Sequence, residues 1–450
     1  MLPSDEANEG YLVGKMQVGD GLPMHLRLQL LVCCAAVTGA GALGAAEIRP
    51  FSLEEVSRSA IEHNHDLIAA GDGVAAALAI RISAAEIQNP TLSASLSKVP
   101  MNAGSSVNQG ALWVRTYDWV FQLQQLVELG GKRGKRRDSA VFGLRVADEQ
   151  RRDAERTLHA AVALAYVQVL AAEDRRRIGE QEAAALDQEA AIAAKRHTAG
   201  DLALVEAEQI AATAVLRRID VESASGDEHA ARIALQVVAG LDSADGWRLS
   251  DGLEVVLKRV MPSPGDEVER PDVAAAKRAE EKAAADLSVA EAGRIPDPTI
   301  GVQFEHNPPE TGAQGDSVGI SVSIPLSVFN QNGGAVAAAD AAVVAASHAH
   351  RRAEVMAAAE VAQARSAATT AVAKLRLWHE GVLPKADHAW EAVSFAYSNG
   401  SASLLDLLSA SRARDDARLG EAQARADAAS AAINLRAALG LPATFNRTFP

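Results

Sequence analysis

Aromatic residues are scarce in this sequence. Phe, Trp and Tyr make up 4% of its 450 residues, whereas hydrophobic residues as a whole make up 48%. Ala, Leu and Val account for the difference, and alanine has the highest helix propensity of all residues. A core with few aromatic and many small aliphatic side chains favours packed helices over an all-β or an α/β fold. We therefore predict a mainly α chain with a small β part.

Cysteine is almost absent, because the only two, Cys33 and Cys34, are adjacent and lie near the N-terminus. They belong to an apolar run that follows Met24 and ends at small residues around Ala46, which is the layout of a secretory signal peptide. We expect residues 1–46 to be an N-terminal extension and signal peptide, with Met24 as the true start. Attachment of a lipid to Cys33 is the alternative use of that thiol.

Signals for catalysis and for nucleic-acid binding are also missing. The sequence contains neither GxSxG nor HExxH, and no glycine-rich loop joins a strand to a phosphate-binding helix. Its net charge of −14 argues against a nucleic-acid partner. His348 and His350 do not share a helix face, so we interpret them as surface histidines. We expect no enzyme activity, no cofactor and no resident metal site.

Four short segments of the chain do have apolar residues at every second position. One pair lies in the first half, and the other follows Pro296 in the second half. A period of 2 predicts strands with one apolar and one polar face. The predicted strands cover about 91–99, 117–129, 299–306 and 317–326. Because four strands leave open edges, we expect the sheet to need further strands from other chains.

Long segments without helix-breaking residues account for most of the remaining sequence. They predict helices over about 134–198, 201–238, 335–397 and 403–439. A helix of about 65 residues is about 100 Å long, which suits a coiled coil or a barrel of helices better than a globular domain. No uninterrupted run of about 18 apolar residues follows residue 46, so we expect no transmembrane helix.

The two halves of the chain share one plan. NPTL at 89–92 corresponds to DPTI at 297–300, and Gly200 corresponds to Gly400. Matches at a nearly constant offset predict an internal repeat of about 200 residues. We place the first repeat at 47–264 and the second repeat at 265–450.

The predicted strands have the length of strands that cross a bilayer at a tilt. Four strands cannot close a barrel, and lipid does not tolerate open sheet edges. Several chains would therefore combine, and three chains would supply 12 strands, an even number within the range of outer-membrane barrels. The Ser and Gly face would line the lumen, and the Ile, Val and Phe face would contact lipid.

This plan resembles the TolC family of outer membrane factors. The likeness rests on the duplication, on NPTL and PDPTI, and on IPLSVFNQNGG (324–334) and YSNGSASLLDLLSA (397–410). LVELGGKRGKRR (126–137) is most similar to the CzcC/CusC-like heavy-metal branch. The resemblance implies a trimeric 12-stranded transmembrane β-barrel, with four strands per chain, that a long periplasmic α-helical barrel continues.

The resemblance also implies a function and partners. The chain would be the exit channel in the outer membrane of a Gram-negative bacterium and would export heavy-metal cations (Co/Zn/Cd or Cu/Ag). It would form a homotrimer in outer membrane lipid and work with a periplasmic membrane-fusion adaptor and an inner-membrane RND-type pump. A multidrug efflux or type I secretion channel is the alternative within the same fold. A periplasmic adaptor is the alternative from another class.

By the same resemblance, a gate lies at the turns around Gly200 and Gly400. Asp406 holds the position of an acid at the narrowest ring, and Glu206 holds the matching position in the first turn. Tyr397 holds the position of a tyrosine that bonds the neighbouring tip. Three Asp406 carboxylates at a constriction would favour cations. The alternative is that Asp406 only caps or solvates the turn.

Five basic residues lie between 132 and 137, where a strand becomes a helix. Positive charge at a helix N-terminus opposes the helix dipole. We expect a solvated rim here, with neighbouring acids or lipid phosphates as the groups that could compensate the charge.

Overall fold

The computed structural model describes residues 49–97, 118–307 and 315–441, apart from 242, 244, 245, 264, 266 and 267. The predicted signal peptide, with Met24 and Cys33, lies outside these residues, as do the ends of two predicted strands at 98–99 and 117. The helices are α1 Leu53–His63, α2 His65–Ala84, α3 Lys132–Thr198, α4 Leu204–Ala239, α5 Leu253–Val260, α6 Pro271–Ala292, α7 Gly333–Arg376, α8 Leu383–Ser398 and α9 Leu404–Ala438. The strands are β1 Arg49–Phe51, β2 Thr91–Ser97, β3 Asp118–Leu126, β4 Trp247–Leu249, β5 Thr299–His306 and β6 Asp316–Ser323. The prediction of a mainly α chain with a small β part is confirmed.

The four longer strands form one antiparallel sheet in the order β2-β3-β5-β6. One row of paired residues that crosses the whole sheet is Ala94, Phe121, Phe304 and Val318. Within the described chain, β2 and β6 are edge strands with a partner on one side only. The sheet therefore has two open edges, one from each half of the sequence.

Two strands end earlier than the alternating pattern predicts. β3 ends at Leu126 and β6 ends at Ser323, whereas the predicted strands ran to 129 and 326. Pro325 has no N–H to donate to a ladder. The N–H of Leu129 donates instead to the Asp297 carboxylate, at 2.9 Å. The apolar alternation continues past the hydrogen-bonded strands, and this is why the sequence overestimated their length.

The helices continue the order of the strands. α2 packs on α3, α3 packs on α6, and α6 packs on α7. These helices adjoin β2, β3, β5 and β6 in the chain, so one layer of strands passes into one layer of helices. α2 and α7 are the outer helices of this layer, although α7 also packs on α9. Apolar side chains such as Ile80 and Ile82 on α2 are exposed.

Helix α2 bears on the prediction that no helix crosses a membrane. It is the one helix of the described chain that is long and apolar enough to cross a membrane by length and composition alone. The prediction rested on the absence of an uninterrupted apolar run, and Asp72 and Arg81 interrupt the apolar residues of α2, so length and composition alone do not overturn it. In the structure one side of α2 packs along α3.

Beyond this layer the chain forms two long hairpins, α3–α4 and α8–α9. α3 alone has 67 residues, which corresponds to a length of about 100 Å. The predicted helix 335–397 is not continuous, because Leu377–Val382 form a π-helix between α7 and α8. Pro384 follows immediately and lacks the N–H that an α-helical bond would need. Trp378 of the π-helix lies against Gly420, where a Cβ would be 2.6 Å from the ring.

The largest core surrounds the middle of α3. There α1, α5 and the parallel pair β1–β4 pack against α3, α4 and α9. Tyr166 of α3 is fully buried in this core. Its hydroxyl donates to the Phe51 carbonyl at 3.1 Å and accepts from the Asp251 N–H at 3.3 Å. Burial raises the pKa of Tyr166, so the hydroxyl stays protonated and available as a donor. The residue ties the long helix to β1 and to the segment that follows β4.

Tyr166 offers a test of this core. Tyr166→Phe keeps the ring and removes two hydrogen bonds, so we expect the free energy of unfolding to fall by about 1–3 kcal/mol. Tyr166→Ala also leaves a cavity and should cost about 3–5 kcal/mol. Thermal unfolding of the purified protein in detergent measures both. An equal effect of the two variants would contradict the packing role of the ring.

Candidate functional site: the amphipathic sheet and the two helical tips

The four-stranded sheet has one continuous apolar face. Rows of paired residues cross it from edge to edge, and one of them is Leu92, Leu123, Val302 and Ile320. These side chains are exposed, and Ile320 on the edge strand is 80% accessible. Apolar surface in water costs about 25 cal/mol per Å². A contiguous face of this kind therefore requires an apolar environment.

The opposite face of the sheet is mainly polar. Its central row is Ser93, Gln122, Gln303 and Gly319. The Gln122 amide donates to the Ser321 hydroxyl at 3.2 Å. A Cβ on Gly319 would lie 3.1 Å from the side chain of Gln303, so glycine makes room for the long amide side chain. One face thus suits lipid, and the other face suits water.

Acidic partners neutralise part of the basic run between the sheet and α3. The Lys132 ammonium lies 2.7 Å from the Asp297 carboxylate, and Arg136 forms a two-pronged pair with Glu128. Burial acts to raise the pKa of Asp297, but hydrogen bonds from Lys132 and Leu129 hold it below its usual value. The hydrogen bond from Arg136 likewise lowers the pKa of Glu128. Lys132 and Arg136 are therefore paired and not part of a solvated rim, and neighbouring acids, one of the two expected kinds of compensating group, supply the partners.

The first tip joins α3 to α4 through Gly200. Gly200 has a φ of +86°, which a residue with a side chain rarely adopts. The Asp201 N–H donates to the Arg196 carbonyl at 2.8 Å and so closes the end of α3. α4 begins at Leu204, not at the predicted residue 201, because this turn uses the residues between them. Glu206 lies in the first turn of α4, whose N-cap residue is an alanine without a capping side chain.

The second tip repeats this geometry around Gly400, which has a φ of +74°. Here a capping box begins α9. The Asp406 N–H donates to the Ser403 hydroxyl at 3.2 Å, and the Asp406 carboxylate accepts from the Ser403 N–H at 3.0 Å. The Ser403 hydroxyl also donates to that carboxylate, at 2.6 Å, and this bond lowers the pKa of Asp406. Asp406 therefore caps the helix, and it is an ionised carboxylate at neutral pH.

The two tips of one chain contact each other. The Arg196 guanidinium lies 5.9 Å from the centre of the Tyr397 ring, in cation–π range. Tyr397 also packs against an apolar cluster that includes Ile210, Leu404 and Leu407. Sequence reasoning singled out Tyr397 but missed Arg196, because nothing near a lone arginine on a long helix indicates its partner.

Metal ligation finds no support in the described part of the chain. It contains no group of three or more His, Cys, Asp or Glu side chains that could hold an ion. His350 is not a surface histidine as predicted, because its side chain is 18% exposed and lies between α6 and α7. Its imidazole contacts Glu280 at 2.9 Å and Glu354 at 3.5 Å.

Comparison with known proteins decides the family. The profile of the family described as Outer membrane efflux protein matches residues 56–241 and 267–441, which is most of the chain. The protein belongs to the outer membrane efflux protein family. The predicted resemblance is confirmed, and so is the predicted location in the outer membrane with a large periplasmic helical part.

This outer membrane efflux protein is similar to several characterised proteins. It is 24% identical over 300 residues to the cobalt-zinc-cadmium resistance protein CzcC of Cupriavidus metallidurans, covering 66% of this chain and 71% of CzcC. Its structure matches the outer-membrane channel OprN with a TM-score of 0.70 at 19% identity, over 87% of this chain and 90% of OprN. It matches CusC with a TM-score of 0.69 at 19% identity, over 87% of this chain and 92% of CusC.

Proposed function

We propose that this outer membrane efflux protein is the exit channel of a tripartite efflux system that exports heavy-metal cations. It has no enzyme activity and works with a periplasmic membrane-fusion adaptor and an inner-membrane RND-type pump. The observation that carries the proposal is the amphipathic sheet with two open edges, which continues into a helical layer with the same two edges. Such a surface is incomplete in one chain.

Three copies complete it. The β6 edge of one copy pairs with the β2 edge of the next, and α7 packs beside α2 in the same order. The resulting barrel of 12 strands presents Leu92 and Ile320 to outer membrane lipid and the row of Ser93 and Gln122 to the lumen. Closure leaves no backbone group unpaired in lipid, which is the condition for a β structure in a bilayer. The second half of each chain supplies a hairpin like that of the first half, as an internal repeat would.

Metal cations are the proposed cargo because the relative CzcC is named as a cobalt-zinc-cadmium resistance protein. The LVELGGKRGKRR segment supports the same branch through its resemblance to the CzcC/CusC-like members. The second candidate is a multidrug or type I secretion channel. It is favoured by the central row of the polar face, Ser93, Gln122, Gln303 and Gly319, which carries no charge. In either case the pump selects the cargo.

A deletion strain tests the cargo. We expect it to accumulate one or two metals when it is challenged separately with cobalt, zinc, cadmium, copper and silver. A plasmid copy of the gene should restore normal metal content, because the loss is specific to this exit channel. Metal content of washed cells by mass spectrometry is the measurement. Normal metal levels combined with a gain in drug sensitivity would move the protein to the multidrug branch.

Asp406 tests the proposed ring at the tip. Asp406→Asn removes the charge and keeps an oxygen that can accept from Ser403, whereas Asp406→Ala removes both. We expect both variants to lower the cation-to-anion permeability ratio of single channels towards one, because the charge sets the selectivity. Ser403→Ala is the control, since it weakens the cap and keeps the charge. If the permeability ratio changes in Asp406→Ala and Ser403→Ala but not in Asp406→Asn, then Asp406 only caps the helix.

A further inference from the structure

Two acidic side chains meet in the core between the hairpins. Glu182 of α3 and Asp415 of α9 are each only 2% exposed. Their carboxyl groups lie within hydrogen-bonding reach of each other. Both oxygens of Glu182 and one oxygen of Asp415 have no hydrogen-bond donor among the described residues. A buried carboxylate without a donor is costly, so the pair needs a further group.

The nearby cations do not supply that group fully. Arg217 of α4 lies 3.6 Å from an oxygen of each acid, which is beyond normal hydrogen-bond length. It also faces Asp220, at 3.3 Å. Arg414 of α9 lies 3.7 Å from Asp415, but its guanidinium stacks 3.9 Å from the centre of the Trp390 ring.

The remaining charged neighbours either pair with another residue or carry a negative charge themselves. Arg418 of α9 pairs with Asp387 of α8, at 3.2 Å. Glu189 of α3 lines the cavity beside the pair and adds negative charge rather than compensation. Helix α8 contributes Trp390 and Ser394 to the cavity wall and no charged side chain.

We propose that Glu182 and Asp415 share one proton, and that this acid pair is a pH-dependent clasp between the α3–α4 and α8–α9 hairpins. One carboxyl group donates its O–H to the other carboxylate, which satisfies two of the oxygens that lack a donor. Burial and the charge of Asp415 raise the pKa of Glu182 to about 7. Burial raises the pKa of Asp415 as well. Loss of the proton leaves two like charges in contact in a buried site.

The clasp is placed to act on the tips. A cavity of about 60 Å³ adjoins the pair, and Ile210, Leu404 and Leu407 line it. The same three residues form the apolar cluster that holds Tyr397 at the tip. A water molecule needs about 10–15 Å³ of such space, so water can reach the carboxyl groups and exchange the proton. Separation of α3 from α9 at the pair therefore reaches the tip cluster directly.

The direction of the pH effect follows from linkage. A carboxyl group whose pKa is higher in the folded chain than its usual 4.5 binds its proton more tightly in the clasped state. The contribution of the clasp is complete below about 4.5, declines as the pH rises to about 7, and stays constant above that value. High pH therefore favours separated hairpins. The inference depends on the proposed function only in treating the tips as the gate.

Distances between the two tips test the clasp. The chain after residue 46 contains no cysteine. Spin labels on Asp201→Cys and Ser401→Cys therefore give a single distance, from the first tip to the second tip of one chain. Labelled chains are diluted into unlabelled protein in nanodiscs, and the distance is measured by pulsed EPR from pH 5 to pH 9. We expect the tips to move apart as the pH rises from about 5 towards about 7, with no further change above that value.

Matched variants show which carboxyl groups cause the pH-dependent change in distance. In Glu182→Gln the new amide donates to Asp415 at every pH. The short distance between the two tips should therefore persist at every pH, and Asp415→Asn should have the same effect. Glu189→Gln lines the same cavity and should keep the transition of the unchanged chain. A transition that survives in both amide variants, or its absence from the unchanged chain, would overturn the proposal.

A measurement with Zn²⁺ distinguishes a shared proton from a metal ion bound by the same two carboxyl groups. If Zn²⁺ at pH 8 restores the short distance in the unchanged chain but not in Glu182→Gln, the pair is a metal site and the proton clasp is wrong. No response to Zn²⁺ supports the clasp. Because these distances need no transport, their failure leaves the proposed efflux function untouched, and failure of the metal accumulation test leaves the clasp untouched.

Discussion

Every strand in a bilayer must pair all of its backbone hydrogen-bonding groups, and one chain of this protein cannot meet that condition. The sheet ends at β2 on one side and at β6 on the other. The helical layer ends in the same sense at α2 and α7. Lipid offers no donor or acceptor to these edges. In the proposed assembly this requirement accounts for the edges of the same order that run along both the strands and the helices of the described chain.

Stability is therefore divided between the chain and its assembly. The largest buried core surrounds Tyr166, far along the sequence from the sheet, and it belongs to a single chain. The apolar face of the sheet contributes almost no core within that chain, since residues such as Ile320 are exposed. Partner copies and lipid would bury what one chain leaves open. Folding of the sheet is then linked to concentration and to the membrane.

Much of this fold could be predicted from local patterns. Alternation of apolar residues located all four longer strands, and β5 begins and ends where the pattern does. Gly200 and Gly400 marked the turns, because only glycine readily adopts their positive φ. Beyond Leu126 and Ser323 the apolar alternation continues but the hydrogen bonds between strands do not, so the predicted ends of these two strands were wrong. The π-helix at Leu377–Val382 was missed, because the predicted helix ran on through Pro384 without a break.

Contacts between residues that are far apart in the chain could not be predicted from the sequence. Asp297 lies 165 residues after Lys132, and no spacing rule connects them. The same holds for Arg196 and Tyr397, and for Glu182 and Asp415, which look like solvated helix residues in a one-dimensional pattern. The roles of Glu206 and Asp406 at a constriction stay predictions, although the capping box of Asp406 is now explicit.

The mass of the complex extracted from the outer membrane tests the central claim most directly. The protein is released with a mild detergent and weighed by native mass spectrometry. Pairing of the β6 edge with the β2 edge around a closed ring predicts a particle of three chains and no stable smaller species. Recovery of a single chain, or release of the protein as a soluble monomer without detergent, would contradict the account.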